Sequence, residues 1–449
     1  MSETQLTNTI SGLPIQDLRK AQLRFGRLAL PAKVVKFWRK QHELATSILR
    51  DDGRGPRVKR LAELLSNVTY SVFTVASGEE PNYYQYTGVH LLDWYLAANF
   101  ATVHDLRARA VLGIYYVTRD LLAFESNSLA NVEKNSQLRL SPELVHRRID
   151  EIRNVFPACE SVAAQINCNT CQWDIDLIHH ASIASYLDEN HRLGGLVHFS
   201  CFPLTQAHDE IVFIRIVHVS ELCFYGIRIS LIAAIEAMKG GDRESALREI
   251  QTAAGFAGIL HLTLMVLRTM PPEHFADFRD YTGKASAFQS KEYHELDIYL
   301  HGVIVSKQEH FAKIPYLNTL LRYAHPRFVS LKDAVARVNH REWEDVIEAA
   351  RSLDKQLLTW RGLHLGFAKR YLAQGAPGTG GTSGADYLAR HLHGGVFEDT
   401  IPDWDIVRSF FPEVDQIVPT LETRVPSRRG LAPTMSPSPT PPPDADTED

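Results

Sequence analysis

Leu353, Leu357, Trp360, His364, Phe367 and Tyr371 recur at steps of four and three. That spacing sets side chains on one face of an α-helix, and it predicts a long amphipathic helix over 342–373. A single histidine sits in mid-stripe, ringed by apolar and aromatic groups. Gly375 and Pro377 end the pattern, as residues that cannot continue a helix do. The loop Gly378-Thr379-Gly380-Gly381-Thr382-Ser383-Gly384 follows. It can bring several backbone N–H groups and hydroxyls close to a ligand. It has no P-loop lysine and follows no strand, so a nucleotide-phosphate loop is excluded.

The same periodicity runs through the rest of the chain. Val34, Phe37, Trp38, Leu44, Ala45 and Ile48 mark one face of a helix opened by Pro31. Further helices are predicted over 57–76, 86–101, 103–124, 141–155, 208–239, 243–269, 291–310 and 329–339. Alternating β-branched runs barely occur, so the fold class is all-α. Residues 1–25 are polar and are expected to form a loose arm. Residues 1–175 read as a helical N-terminal region and 176–423 as a second helical block. Residues 424–449, rich in Pro, Ser and Thr with an acidic end, carry too few apolar side chains for a core and read as disordered.

With 449 residues, 45% of them hydrophobic, the chain can bury a large core in two or three domains. Its net charge of -5 is made of mixed signs, and no basic stripe suits a nucleic acid. The start, MSETQLTNTI, lacks a basic head and apolar core, so no secretory leader is expected. The longest apolar run, near Gly255 to Leu267, is interrupted by His261 and Thr263. It falls short of the roughly 20 residues that span a bilayer. A cytoplasmic protein that does not engage a membrane is expected. The five cysteines are Cys159, Cys168, Cys171, Cys201 and Cys223. An odd number in this setting speaks against a disulfide framework. Cys168 and Cys171 form a CxxC followed by Gln172, not His, which excludes covalent haem attachment. With His179 and His180 nearby, a structural zinc site is one reading; ordinary packed thiols are the other.

Three stretches of the second block carry candidate chemistry. In His208-Asp209-Glu210 through Leu222, Phe213, Ile216, Val217, Ser220 and Phe224 share a face, with Glu221 beside it. In Phe275 to Ser290, Arg279 stands among aromatics. A guanidinium there suits either a carboxylate held by two prongs or a structural ion pair with a nearby aspartate. The third is the opening stripe. His364 is either a core histidine with satisfied ring nitrogens or an axial haem ligand, which needs a neutral imidazole projecting into an apolar slot. Upstream, Tyr83, Tyr84 and Tyr86 could cover a ligand or a subunit interface, or serve as amphipathic packing.

In this order, these segments resemble the haem-dependent tryptophan 2,3-dioxygenase family. The resemblance rests on His208-Asp209-Glu210 with Phe213 and Glu221-Leu222. It rests also on Phe278-Arg279-Asp280-Tyr281 through Ala285-Ser286-Ala287-Phe288-Gln289-Ser290, and on Trp360-Arg361 ahead of His364 with Gly378 to Gly384 and Asp386-Tyr387-Leu388. It covers residues 180–400 and implies a helical haem domain with an additional N-terminal region. By position, it places His364 at the iron ligand of a haem b and Arg279 at the substrate carboxylate. Thr379 falls at the amino-acid ammonium and carboxylate. Phe213 and Phe275 fall on the aromatic pocket wall, and Ser286 near the distal side.

The chain departs from the family where a distal histidine is usual: that position is Val217. His218 is one residue on, about 100° round the helix, and so points elsewhere. The tryptophan after Glu-Leu is Cys223, and the glycine after Ser286 is Ala287. The resemblance implies an enzyme that takes an aromatic amino acid, tryptophan or a substituted tryptophan, and dioxygen. A monooxygenase of a related amino acid, and a haem- or amino-acid-binding protein without turnover, are the alternatives. It also implies a homo-oligomer, a tetramer whose N-terminal segments cover a neighbour's pocket. The long region 1–175 could instead supply that lid within one chain, in a dimer. Tyr186 lies near where the family's arm reaches a partner's site.

Overall fold

The computed structural model describes residues 2–76, 81–97, 102–132, 140–168, 183–187, 191–372, 385–390, 392 and 394–414. Every regular element among them is helical. The all-α reading holds. Thr379, Cys171, His179, His180 and the 424–449 tail lie outside the described residues.

The centre is a hairpin of two long helices, α11 (His208–Gly240) and α12 (Arg243–Arg268), counting helices from the N-terminus. Asp209 and Glu210 in the first turn of α11 suit the positive end of its dipole. Gly241 ends the helix at φ 77°, a left-handed conformation that costs glycine little. Asp242 then caps α12 by accepting a hydrogen bond from the Ser245 N–H at 3.0 Å. The pair approaches closely at Gly226, where a Cβ would lie 2.7 Å from the Phe256 ring. Both helices are long and apolar enough to cross a membrane, but they are mostly buried, within the protein's own core. Helix α7 (Val103–Val132) lies along α11, and α18 (Glu344–Tyr371) lies along α12.

The residues expected to be a loose arm are two helices, α1 (Glu3–Ser11) and α2 (Ile15–Phe25). Leu6, Ile10, Ile15 and Leu18 are buried; sparse apolar residues at helical spacing are enough to dock them. The chain then seals onto the second block. The N–H groups of Arg27 and Leu28 donate to the carbonyls of Pro203 (2.9 Å) and Leu204 (3.0 Å). Helices α3 (Ala32–Arg50) and α4 (Pro56–Ala76) pack together. Where a helix over 86–101 was expected, α5 (Tyr83–Thr87) and α6 (His90–Leu96) are separated by Gly88 at φ 74°. The expected helix 291–310 is likewise divided at Gly302, φ 86°, into α14 (Lys291–His301) and α15 (Val305–Lys313). Buried side chains from Leu6 to Val414 form one continuous cluster, so the core runs across position 175.

A buried charge network ties the N-terminal helices to the second block. Arg148, on α8 (Pro142–Arg153), donates to Glu125 Oε1 at 2.9 Å and Asp209 Oδ1 at 2.7 Å. Asp209 Oδ2 is 2.7 Å from His274 Nδ1, and His208 Nε2 is 3.0 Å from Glu125. Burial alone would raise the Asp209 carboxyl, but His274 and Arg148 outweigh it and bring it down to about 2. Arg148, Glu125 and Asp209 are shut away from solvent. Removing one partner strands the others, at a cost of about 3–5 kcal/mol. Arg148→Met is therefore expected to lower unfolding stability by that amount in urea melts, far more than Arg153→Met, whose pair is exposed.

Candidate functional site

Helix α11 is buried almost all round, yet Phe213, Val217 and Ser220 keep partial exposure. They are spaced four and three apart, so they share a face, and that face borders a cavity of about 300 Å³. Trp360, His364, Phe367 and Tyr371 of α18 border it too. Aromatic rings cluster at two places on its lining. At one, Phe224 meets Trp360 at 5.3 Å and Tyr293 at 5.4 Å. At the other, Phe275 of α13 (Pro272–Arg279) stands 5.8 Å from Phe213 and 5.6 Å from Tyr371.

Helix α18 is held from behind, away from the cavity. Gly362 and Gly366 let α20 (Trp404–Phe410) and Phe411 come close: a Cβ would meet Val407 at 2.8 Å and Phe411 at 2.5 Å. Thr359 Oγ1 accepts the Asp403 N–H at 2.8 Å, and Asp354 accepts those of Val396 and Phe397 at 3.0 and 3.1 Å. The helix is thus fixed around His364. The imidazole stacks on Trp360 at 5.4 Å and makes no hydrogen bond among the described residues. Burial pushes it down to about 4, so it is neutral at ordinary pH and keeps a lone pair. That departs from the core-histidine reading, in which both ring nitrogens are satisfied. A neutral imidazole with no hydrogen bond among the described residues, on an apolar wall, fits a haem iron.

The sequence-predicted residues Phe213, Val217, Phe275, Arg279, Ser286 and His364 all line this one cavity. Arg279 ends α13, the helix that carries Phe275. Ser286 Oγ accepts the Phe288 N–H at 3.3 Å, shaping the turn that follows. His218 does not line the cavity. Its Nε2 lies 2.6 Å from the Thr87 carbonyl, and its Nδ1 3.4 Å from Arg215. Burial, then the Arg215 charge, push it down to about 3. The 100° offset from Val217 turns it away, as expected.

Two basic cavity residues, Lys307 and Arg361, were given no role by the sequence reading. Both donate to the buried Asp297, each at 2.8 Å. Tyr83, Tyr86 and Thr87 come from the N-terminal region. Tyr83 and Tyr86 belong to the aromatic patch that the sequence offered as a cover for a ligand or a subunit interface, and both line the cavity. The Tyr83 hydroxyl donates to Glu221 Oε1 at 2.6 Å. Burial raises Glu221 to about 8, against the hydrogen bonds from Ser290 and Tyr83. A carboxyl raised on folding contributes stability that is whole below its unfolded value, about 4.5, and is lost as pH rises through about 8. Glu221→Gln is expected to flatten this part of the stability curve between those values, in melts across pH.

The comparisons agree with this geometry. Residues 198–328 match the family model described as tryptophan 2,3-dioxygenase. A tryptophan 2,3-dioxygenase of Caulobacter vibrioides is 30% identical over 239 residues, covering 44% of this chain and 89% of that protein. One from Exiguobacterium sibiricum is 27% identical over 227 residues, 42% of this chain and 81% of its own. One from a Bradyrhizobium strain is 26% identical over 228 residues, with 42% and 81% covered. With a relative at this identity matched over most of its length, the chain belongs to the tryptophan 2,3-dioxygenase family, and so to the haem-dependent dioxygenases among the oxidoreductases.

Proposed function

We propose that this protein is a haem b-dependent oxygenase acting on tryptophan or a ring-substituted tryptophan. Both atoms of one dioxygen add across the indole C2–C3 bond, which breaks to give an N-formylkynurenine-type product. One observation carries the reading: a neutral imidazole at 364, with no hydrogen bond among the described residues, shares an aromatic cavity with the guanidinium of Arg279.

His364 would hold the iron through its imidazole. When bound, haem supplies the activation of dioxygen. The protein's own side chains do the rest. Arg279 offers a planar fork for the amino-acid carboxylate. Thr379, in the Gly/Thr/Ser-rich stretch that follows in the sequence, takes by family resemblance the ammonium and carboxylate. Phe213 and Phe275 present ring faces and edges to an aromatic side chain. Val217 gives the ring an apolar neighbour and no hydrogen-bond acceptor. Tyr86 and Thr87 narrow the cavity further and help exclude water.

Val217 also favours a second reading, because nothing at that position can accept the indole N–H. A monooxygenase would use the same cavity and leave one oxygen atom in the product. The other leaves as water with two electrons and two protons from an external reductant, which is therefore kept in excess in the test, or hydrogen peroxide is supplied in place of dioxygen. The test is anaerobic reduction of the haem-loaded protein, then addition of dioxygen and tryptophan. The dioxygenase reading expects a kynurenine-type absorbance and a product heavier by two oxygen atoms. A product heavier by one would establish the second reading. No oxidised product from any aromatic amino acid would overturn both.

A further inference from the structure

We infer that the Ser220 hydroxyl oxygen accepts the ring N–H of the substrate, the bond that Val217 cannot make, and so selects indoles with a free N–H. The inference rests on the function proposed above and deepens it by naming a specificity-determining residue.

Val217 and Ser220 lie three residues apart on α11. By the helical repeat that is about 4.5 Å along the axis and about 60° round it, so they keep to one face. Both border the cavity and both keep partial exposure. The polar side chain next to Val217 is not free for this work. His218 faces away, with its ring nitrogens against the Thr87 carbonyl and Arg215.

The bond that Ser220 already makes fixes its polarity. Its hydroxyl donates to the Ile216 carbonyl, one turn back, at 2.9 Å, as helical serines often do. A hydroxyl has one hydrogen to give and two lone pairs. With the hydrogen committed inside the helix, the oxygen meets the cavity as an acceptor. A ligand N–H suits it, and a carboxylate does not.

Other polar groups on the lining are placed for different work. Thr282 Oγ1 donates to the Arg279 carbonyl at 2.7 Å, so it belongs to the turn that carries the carboxylate fork. Ser286 Oγ accepts the Phe288 N–H at 3.3 Å, which leaves its own hydrogen to give. Glu221 is buried and engaged by Tyr83 and Ser290. Phe213 stands one turn before Val217 on the same face, so an indole lying along it has ring faces to pack on and Ser220 for its one donor. Left unmade in an apolar cavity, that hydrogen bond is costly.

Calorimetric titration of the haem-loaded protein without dioxygen tests this apart from turnover. Tryptophan is compared with β-(3-benzothienyl)alanine, in which sulfur replaces the ring N–H at nearly the same shape. Ser220→Ala is expected to lower the preference for tryptophan by about five- to tenfold, through weaker tryptophan binding, with the analogue held within about twofold. Ser220→Thr keeps the hydroxyl and its back-bond and is expected to keep the preference. Ser220→Cys, a weaker acceptor, is a second variant in case the alanine fails to fold, and is expected to shift the ratio in the same direction. If tryptophan binds the parent and these variants leave the ratio unchanged, or lose both ligands alike, the inference is overturned alone. A parent that binds no aromatic amino acid would overturn the proposed function, and the inference with it.

Discussion

His364→Ala is expected to yield a folded, helical protein that no longer shows a haem-ligand absorption spectrum and whose turnover of tryptophan falls by about a thousandfold or more, a loss of about 4 kcal/mol in transition-state terms. The reason for the intact fold is local. The ring makes no hydrogen bond among the described residues, its exposed surface faces the cavity, and α18 is braced from behind by Val407, Phe411 and Asp403. Its removal therefore strands no partner in the core. The reason for the lost spectrum is chemical. Among the described cavity-lining residues, His364 is the histidine, and no group of three or more His, Cys, Asp or Glu that could hold a metal ion stands among the described residues. Added imidazole is expected to occupy the vacated space and restore part of the spectrum. A variant that keeps the parent spectrum would move the iron ligand elsewhere.

Arg279→Met is expected to raise the KM for tryptophan by about a hundredfold, because a charge-assisted two-pronged contact contributes up to about 3 kcal/mol. Its haem spectrum is expected to stay that of the parent. The decisive comparison is with tryptamine, which lacks the carboxylate. The parent is expected to discriminate strongly against tryptamine, and the variant to lose that discrimination. Arg279→Lys keeps the charge without the planar fork and is expected to fall between the two. If the variant discriminates as the parent does, Arg279 serves an internal ion pair and the carboxylate sits elsewhere.

The parts of this molecule that periodicity reveals are the ones built from a single helix face. The stripe from Trp360 to Tyr371 and the run from Phe213 to Phe224 both face one cavity, because i, i+3 and i, i+4 spacing converts directly into a shared surface. Leu353 and Leu357 of the same stripe are buried in the core. Val217 and His218 could be told apart for the same reason. What stayed hidden was contact between distant segments. Nothing near Tyr83 announces Glu221, 138 residues on. Arg148 reads as one charge of an amphipathic helix, yet it sits shut away between Glu125 and Asp209. The first helices were missed because Leu6, Ile10, Ile15 and Leu18 are thinly spread among polar residues, and their value lies in the surface that receives them. Single glycines did the rest: Gly88 and Gly302, at positive φ, divide helices that composition alone would run together.

The central claim is that the imidazole at 364 grips an iron porphyrin inside the cavity that Arg279 also lines. Diffraction at the iron absorption edge, from crystals grown with haemin, measures this most directly. The account predicts an anomalous peak within bonding reach of a His364 ring nitrogen, with a planar macrocycle between α11 and α18. An iron peak at any other side chain, or a cavity filled by protein with no peak, would contradict it.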